Sequence, residues 1–349
     1  MNGNITSLLL FCAISLFAPS AASAVTINTV PVGNPGNAAD TTSMLTDGTF
    51  GYGAVAYAYR IGTTEVTNAQ YVAFLNAKAV SDPLALYHTA MASDSRGGIS
   101  RGGVSGSFTY AAKTNMDNKP VNYVSWYDSI RFINWLNNGQ GNGDTETGAY
   151  TLGPLDAFGT PANGLSITRN AAATWFLPSE NEWYKAAYYQ PTAQGGDVDN
   201  YWLYATKSNS DPTIATANGV GDISNPGANV ANYLAGADWN GRNGNVTTVG
   251  SAGPLSNNFY GTADQDGNVR EWNEGVISGV SRGSRGGAFD NGAAFDDIIR
   301  VGSRWRTGQV PTFGDAQKGF RVALVPEPSS FVLAALGLIG LVVWRLRKR

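Results

Sequence analysis

The chain is almost without thiols and imidazoles: 349 residues hold one cysteine, Cys12, and one histidine, His88. Cys12 lies in an apolar run ahead of Ala22-Ser23-Ala24, a small-x-small cleavage signature, so it is expected to leave with a signal peptide spanning residues 1–24. The remainder then offers neither a disulfide framework nor a cysteine metal site. A single histidine cannot supply the two that a non-haem iron triad needs. A Ser-His-Asp set would have to be built on His88, which in Leu86-Tyr87-His88-Thr89 reads as a structural or surface residue. Charge is scarce as well. Asp, Glu, Lys and Arg make up 14 % of the chain, and the net charge is −3 although Arg345, Arg347, Lys348 and Arg349 crowd the last five positions. The body of the protein is therefore acidic, which argues against nucleic acid as a partner.

Glycine, in contrast, is abundant at 43 residues, and asparagine is frequent, a composition that suits a loop-rich exported fold better than a helical bundle. No internal repeat and no long polar linker divides residues 25–325, so one domain is expected there. Val55, Tyr57 and Tyr59 alternate as a strand would. Thr67, Ser125 and Ser179 stand where helix N-caps belong: Tyr71, Phe74 and Leu75 follow the first, Trp126, Ile130 and Ile133 the second, and Trp183, Ala186 and Ala187 the third. Ser179 and Glu182 also form a capping-box pattern. Residues 93–118 are rich in Gly, Ser and Asn and read as a surface insertion. Residues 190–258 carry repeated Asn-Gly turn signals, and so long a loop needs something to order it, bound cations being one candidate.

Six segments carry a resemblance. They are Tyr59-Arg60-Ile61-Gly62-Thr63-Thr64-Glu65-Val66-Thr67-Asn68, Pro120-Val121-Asn122-Tyr123-Val124-Ser125-Trp126, Phe176-Leu177-Pro178-Ser179-Glu180-Asn181-Glu182-Trp183, Gly267-Asn268-Val269-Arg270-Glu271-Trp272, Arg282-Gly283-Ser284-Arg285-Gly286-Gly287 and Gly319-Phe320-Arg321-Val322. In this order they resemble the formylglycine-generating enzyme, or sulfatase-modifying factor, family. The resemblance implies an α+β domain of the C-type-lectin-like kind, loop-rich with little regular secondary structure. That family oxidises a cysteine of sulfatases with a copper-dependent pair of cysteines just after the Gly-Gly. Here that stretch reads Ala288-Phe289-Asp290-Asn291, continuing through Phe295-Asp296-Asp297, and holds no thiol. Carboxylates are poor ligands for Cu(I), so neither copper nor iron is expected.

Two calcium sites are implied by the same resemblance. One places the side chains of Asp264 and Glu271 with the carbonyls of Gly267 and Val269, hard oxygen donors of the sort calcium prefers. The other matches Asn232 and Tyr233, with Asn243 and Asn245 for its second half, where neutral oxygens stand in place of the family's acidic residue. A ligand groove is implied near Asp290, Asp296, Arg304, Trp305 and Arg306, whose arginine forks suit carboxylates or sulfates, while internal pairing with Glu65, Glu180, Glu182 and Glu271 is the competing use. The expected ligand is an exopolysaccharide or an envelope protein. An enzyme using non-cysteine residues at the same position is the alternative.

Pro326-Glu327-Pro328, an apolar run and the basic end resemble the PEP-CTERM sorting signal, here residues 326–349. The resemblance implies processing by an exosortase in a Gram-negative bacterium. A precursor transiently anchored in the inner membrane would precede release to the periplasm, cell surface or extracellular matrix.

Overall fold

The computed structural model describes residues 24–157, 159–290 and 302–325. The signal peptide, Asp296, Asp297 and the sorting tail lie outside the described residues. In chain order the elements are β1 (Thr29–Val32), β2 (Tyr59–Gly62), α1 (Asn68–Lys78), α2 (Ala90–Ser93), β3 (Ile99–Gly102), β4 (Thr109–Ala112), α3 (Trp126–Asn137), β5 (Trp175–Phe176), α4 (Glu180–Tyr188), β6 (Thr213–Ile214), β7 (Val230–Ala231), β8 (Arg270–Ile277), β9 (Ser281–Arg285), β10 (Thr307–Gln309), β11 (Lys318–Gly319) and β12 (Ala323–Leu324).

All three cap residues act as expected. Thr67, Ser125 and Ser179 keep extended backbones and each accepts the N3 amide, while the N3 side chain, Gln70, Asp128 or Glu182, returns to the cap. Each box satisfies two amides the helix cannot, worth about 1 kcal/mol. The strand expected from Val55 begins only at Tyr59, because Val55 is tied to an N-terminal loop through Asn37 Oδ1 and Gly36 N.

Two four-stranded sheets frame the core. The first runs β1-β2-β12-β5, so Ile61 of β2 faces Val30 on one side and Ala323 on the other, joining the two ends of the described domain. The second runs β10-β9-β8-β11, with a register shift between Trp272 and Val276 and with β11 parallel to β8. Beside β5 of the first sheet, α1 and α3 pack an aromatic core in which the Phe132 ring centre lies 5.5 Å from that of Phe74 and 5.4 Å from that of Phe320. Trp126, Trp183 and Trp272 are fully buried, as expected.

Two segments depart from the sequence expectation. Residues 93–118 are not a simple surface insertion: β3 and β4 pair as a hairpin that sends Ile99 and Tyr110 into the main core, the Tyr110 hydroxyl bonding Ala79 O at 2.8 Å. Residues 190–258 are ordered by asparagine side chains bonding nearby backbone. Asn218 Oδ1 accepts from Val220 N and Asp222 N at 3.0 Å each, and Asn229 Nδ2 donates to Ser210 O and Asp211 O. The spelling G-x-S-x-G occurs at residues 98–102 and 279–283, in the two hairpins β3-β4 and β8-β9, and so lacks the strand-to-helix turn of a nucleophile elbow.

Candidate functional site

Gly267 opens the turn into β8 with φ +93°, and a Cβ there would stand 2.1 Å from Asn232 O, so only glycine fits. This close approach brings the Asn232 segment against the Glu271 segment. Glu271 is fully buried and its carboxylate is committed: Oε1 accepts from Arg321 Nη2 at 2.6 Å, and Oε2 accepts from Trp183 Nε1 at 2.7 Å and from Arg321 Nε. Asp264 accepts the Gly250 amide, and its carboxyl is pushed up to about 6, by burial first and by Glu271's charge, with the Gly250 amide and Arg321 opposing. Glu65 is raised well above the carboxylate range by burial, then by Asp264 and Glu271, and its Oε2 is buried without a partner. Two buried carboxylates, Glu65 and Glu271, and the half-buried Asp264 thus share one guanidinium, leaving excess negative charge that a proton or a cation must neutralise.

The second predicted set surrounds Asn232. Its Nδ2 donates to Asn245 O at 2.9 Å and to Thr247 Oγ1 and Asn268 Oδ1 at 3.2 Å each, while its Oδ1 is buried and unpartnered. Tyr233 turns its hydroxyl to Pro212 O. Asn243 offers its carbonyl to Arg96 Nη2 at 2.9 Å, and Asn245 Oδ1 accepts from Val246 N at 2.8 Å. Asn268 links the two sets, its Nδ2 donating to Glu65 Oε1 at 3.0 Å. Among the described residues no three His, Cys, Asp or Glu side chains converge as metal ligands. A cation here would rest on Asp264 and Glu65 with carbonyl and amide oxygens, and Glu271 serves Arg321. Glu65 and Asn268 lie inside the quoted motifs. Their role was hidden because it depends on a contact spanning 203 residues.

The predicted groove residues separate. Arg304, Trp305 and Arg306 lie against the N-terminal loop and α4: Arg304 Nε donates to Ser43 O at 3.2 Å, and Arg306 bonds Asp47 Oδ2 and Glu180 Oε2 at 2.8 Å each. Glu180 also receives Arg285 Nε at 2.9 Å, and Arg285 reaches on to Ser303 O and Trp305 O. Arg306 and Arg285 are therefore internal braces. Arg304, half-buried, keeps most of its fork unused by Ser43. Asp290 instead follows the left-handed pair Gly286-Gly287 and accepts from Gln317 Nε2 at 2.9 Å, its Oδ1 buried and unpartnered. Beside it Phe289 is buried under Arg96, whose guanidinium lies 5.1 Å from the ring centre.

The sulfatase-modifying factor enzyme 1-like domain matches residues 29–325, and the chain belongs to that family. The PEP-CTERM protein-sorting motif matches residues 324–348 and indicates export with exosortase-dependent, membrane-anchored sorting of the Gram-negative kind. The chain is similar in fold to the crystal structure of CarF, at 19 % identity and a TM-score of 0.52, covering 86 % of this chain and 99 % of that one. Variable protein 1 of Treponema denticola (18 % identity, TM-score 0.46, 88 % and 98 % covered) and PvdO of Pseudomonas aeruginosa (17 %, 0.44, 86 % and 92 %) are also similar. No curated protein matches. Among the described residues no helix is long and apolar enough to cross a membrane.

Proposed function

We propose that this chain is an exported, non-catalytic member of its family, braced by calcium, that binds a glycan or protein ligand at the cell surface. The observation that carries this reading is the absence of any cysteine from residues 25–325, the whole of the family domain. The family's oxidation needs soft thiolates, which Asp290 cannot replace. The buried excess of carboxylate around Asp264 and Glu65, with the unpartnered Glu65 Oε2 and Asn232 Oδ1, supports the calcium brace, since hard oxygens with unbalanced charge suit that ion. Asp264, Glu65 and the Gly267 and Val269 carbonyls would hold one ion, and Asn232 a weaker second. The sorting motif supports delivery to the envelope.

The direct test of the catalytic half is an assay of the exported protein, loaded with copper, on a sulfatase-type cysteine peptide. No formylglycine should appear by mass spectrometry above a cysteine-free control. Turnover would show that the fold carries out the oxidation without thiols, and would end the non-catalytic reading.

A further inference from the structure

A pocket lies at the N-terminus of α3, and none of Asp290, Arg304, Trp305 and Arg306 lines it. It holds about 190 Å³, below the about 300–1,000 Å³ of pockets that take drug-sized molecules, and so fits one ring-sized group. His88, Tyr123, Tyr127, Asp128 and Arg131 line it. The His88 and Tyr123 rings stack with centres 5.4 Å apart and planes 12° from parallel. Tyr123 has φ +59°, a left-handed backbone that a bulky residue adopts only under constraint. The constraint is visible: its amide donates to Asp315 O at 2.8 Å, its hydroxyl donates to Asp94 Oδ2 at 2.8 Å, and Gly314 packs so tightly on it that a Cβ would sit 3.1 Å from Tyr123 C. Strain held in this way by a surrounding network marks places where a side chain is positioned for use.

The polar groups on the opposite wall are half spent. Asp128 is 8 % exposed and accepts the Ser125 amide and hydroxyl on Oδ2 alone, at 2.9 and 2.6 Å, so Oδ1 keeps its lone pairs. Arg131 donates from Nε and Nη2 to Glu146, at 2.8 and 3.0 Å, and from Nη2 to Gly159 O, so Nη1 keeps its donors. Tyr127 is 4 % exposed, and its hydroxyl has no hydrogen bond among the described residues. A carboxylate acceptor, a guanidinium donor and a phenol beside an aromatic face match one ligand chemistry, a ring with adjacent hydroxyls on its edge and C–H groups on its face. We propose that this pocket holds a single hexopyranose ring, neutral or aminated, at the end of an envelope glycan. The lining carries Asp128 and Arg131, and Arg131 is already paired at 2.8 Å with Glu146 behind it, which leaves the Asp128 carboxylate to disfavour a uronic acid.

This site shares no residue with the calcium cluster or with Asp290, Arg304, Trp305 and Arg306, so its failure leaves the proposed function standing. The test is saturation-transfer NMR on the exported protein purified from cells expressing the full chain, with glucose, glucosamine and glucuronate as probes. Transfer to ring protons of glucose or glucosamine is expected, with glucuronate several-fold weaker. Tyr127→Phe, which removes a hydroxyl the fold does not use, should weaken binding about five- to tenfold. Asp128→Asn should weaken it further, and Tyr127→Phe keeps the test valid if that variant loosens α3. Retention on the producer's exopolysaccharide or on peptidoglycan fragments, released by the free sugar, would support the proposal and name the source. No transfer from any probe, a preference for glucuronate, binding unchanged in Tyr127→Phe, or retention on neither polymer would overturn it.

Discussion

Lys318 is buried, and among the described residues no carboxylate meets its ammonium. Nζ donates to Ser284 Oγ at 2.7 Å and lies 4.9 Å from the Trp272 ring centre. Burial pushes its pKa down to about 7, Arg270 acts in the same direction, and Asp315 opposes. In the unfolded chain the same amine titrates near about 10.4. Below about pH 7 both states carry the proton and this group adds no slope. Above that pH the unfolded state binds a proton the native state does not, so stability rises with pH until about 10. Lys318→Met should abolish this rise, and thermal melts at pH 6, 8 and 9.5 read it directly. A slope identical to the parent's would contradict the assignment. Glu180, held between Arg285 and Arg306, makes the opposite case. Glu180→Ala strands a fully buried guanidinium and should cost about 3–5 kcal/mol in urea unfolding. A loss under 1 kcal/mol would mean the network is dispensable.

At the scale of elements, the helices were legible because their signals are local. Each capping box lies within four residues, and Ser179→Ala is expected to lower stability by about 1 kcal/mol in a denaturant titration, with no measurable change marking the box as ornamental. The sheets were not legible in this way. Strands of two residues, such as Trp175–Phe176 and Ala323–Leu324, have no periodicity to detect and exist only through partners far along the chain. The hairpin β3-β4 was obscured because its glycines and serines outweighed Ile99 and Tyr110, the two residues that dock it. The site followed the same division. Residue types around Glu271 pointed to a charged cluster, but whether that carboxylate meets a cation or Arg321, 50 residues on, depends on tertiary contact alone. Ser125 was legible as a cap, but the pocket beside its partner Asp128 arises only when the loop at Gly314 packs over Tyr123.

For the whole molecule, a family domain without thiols is closed by a sheet that joins its two ends and keeps unpartnered polar atoms such as Glu65 Oε2 and Asn232 Oδ1 inside. Calcium at the Asp264–Glu65 cluster would act as a brace, since an ion bound only by the native state stabilises it by mass action. Elemental analysis of the exported protein, purified without chelator, is the most direct test, paired with thermal melts in EDTA. The account predicts about one or two calcium ions per chain, no stoichiometric copper or iron, and a melting temperature that falls in EDTA and returns with calcium. Stoichiometric copper or iron, or a calcium-free protein whose melt ignores EDTA, would contradict it.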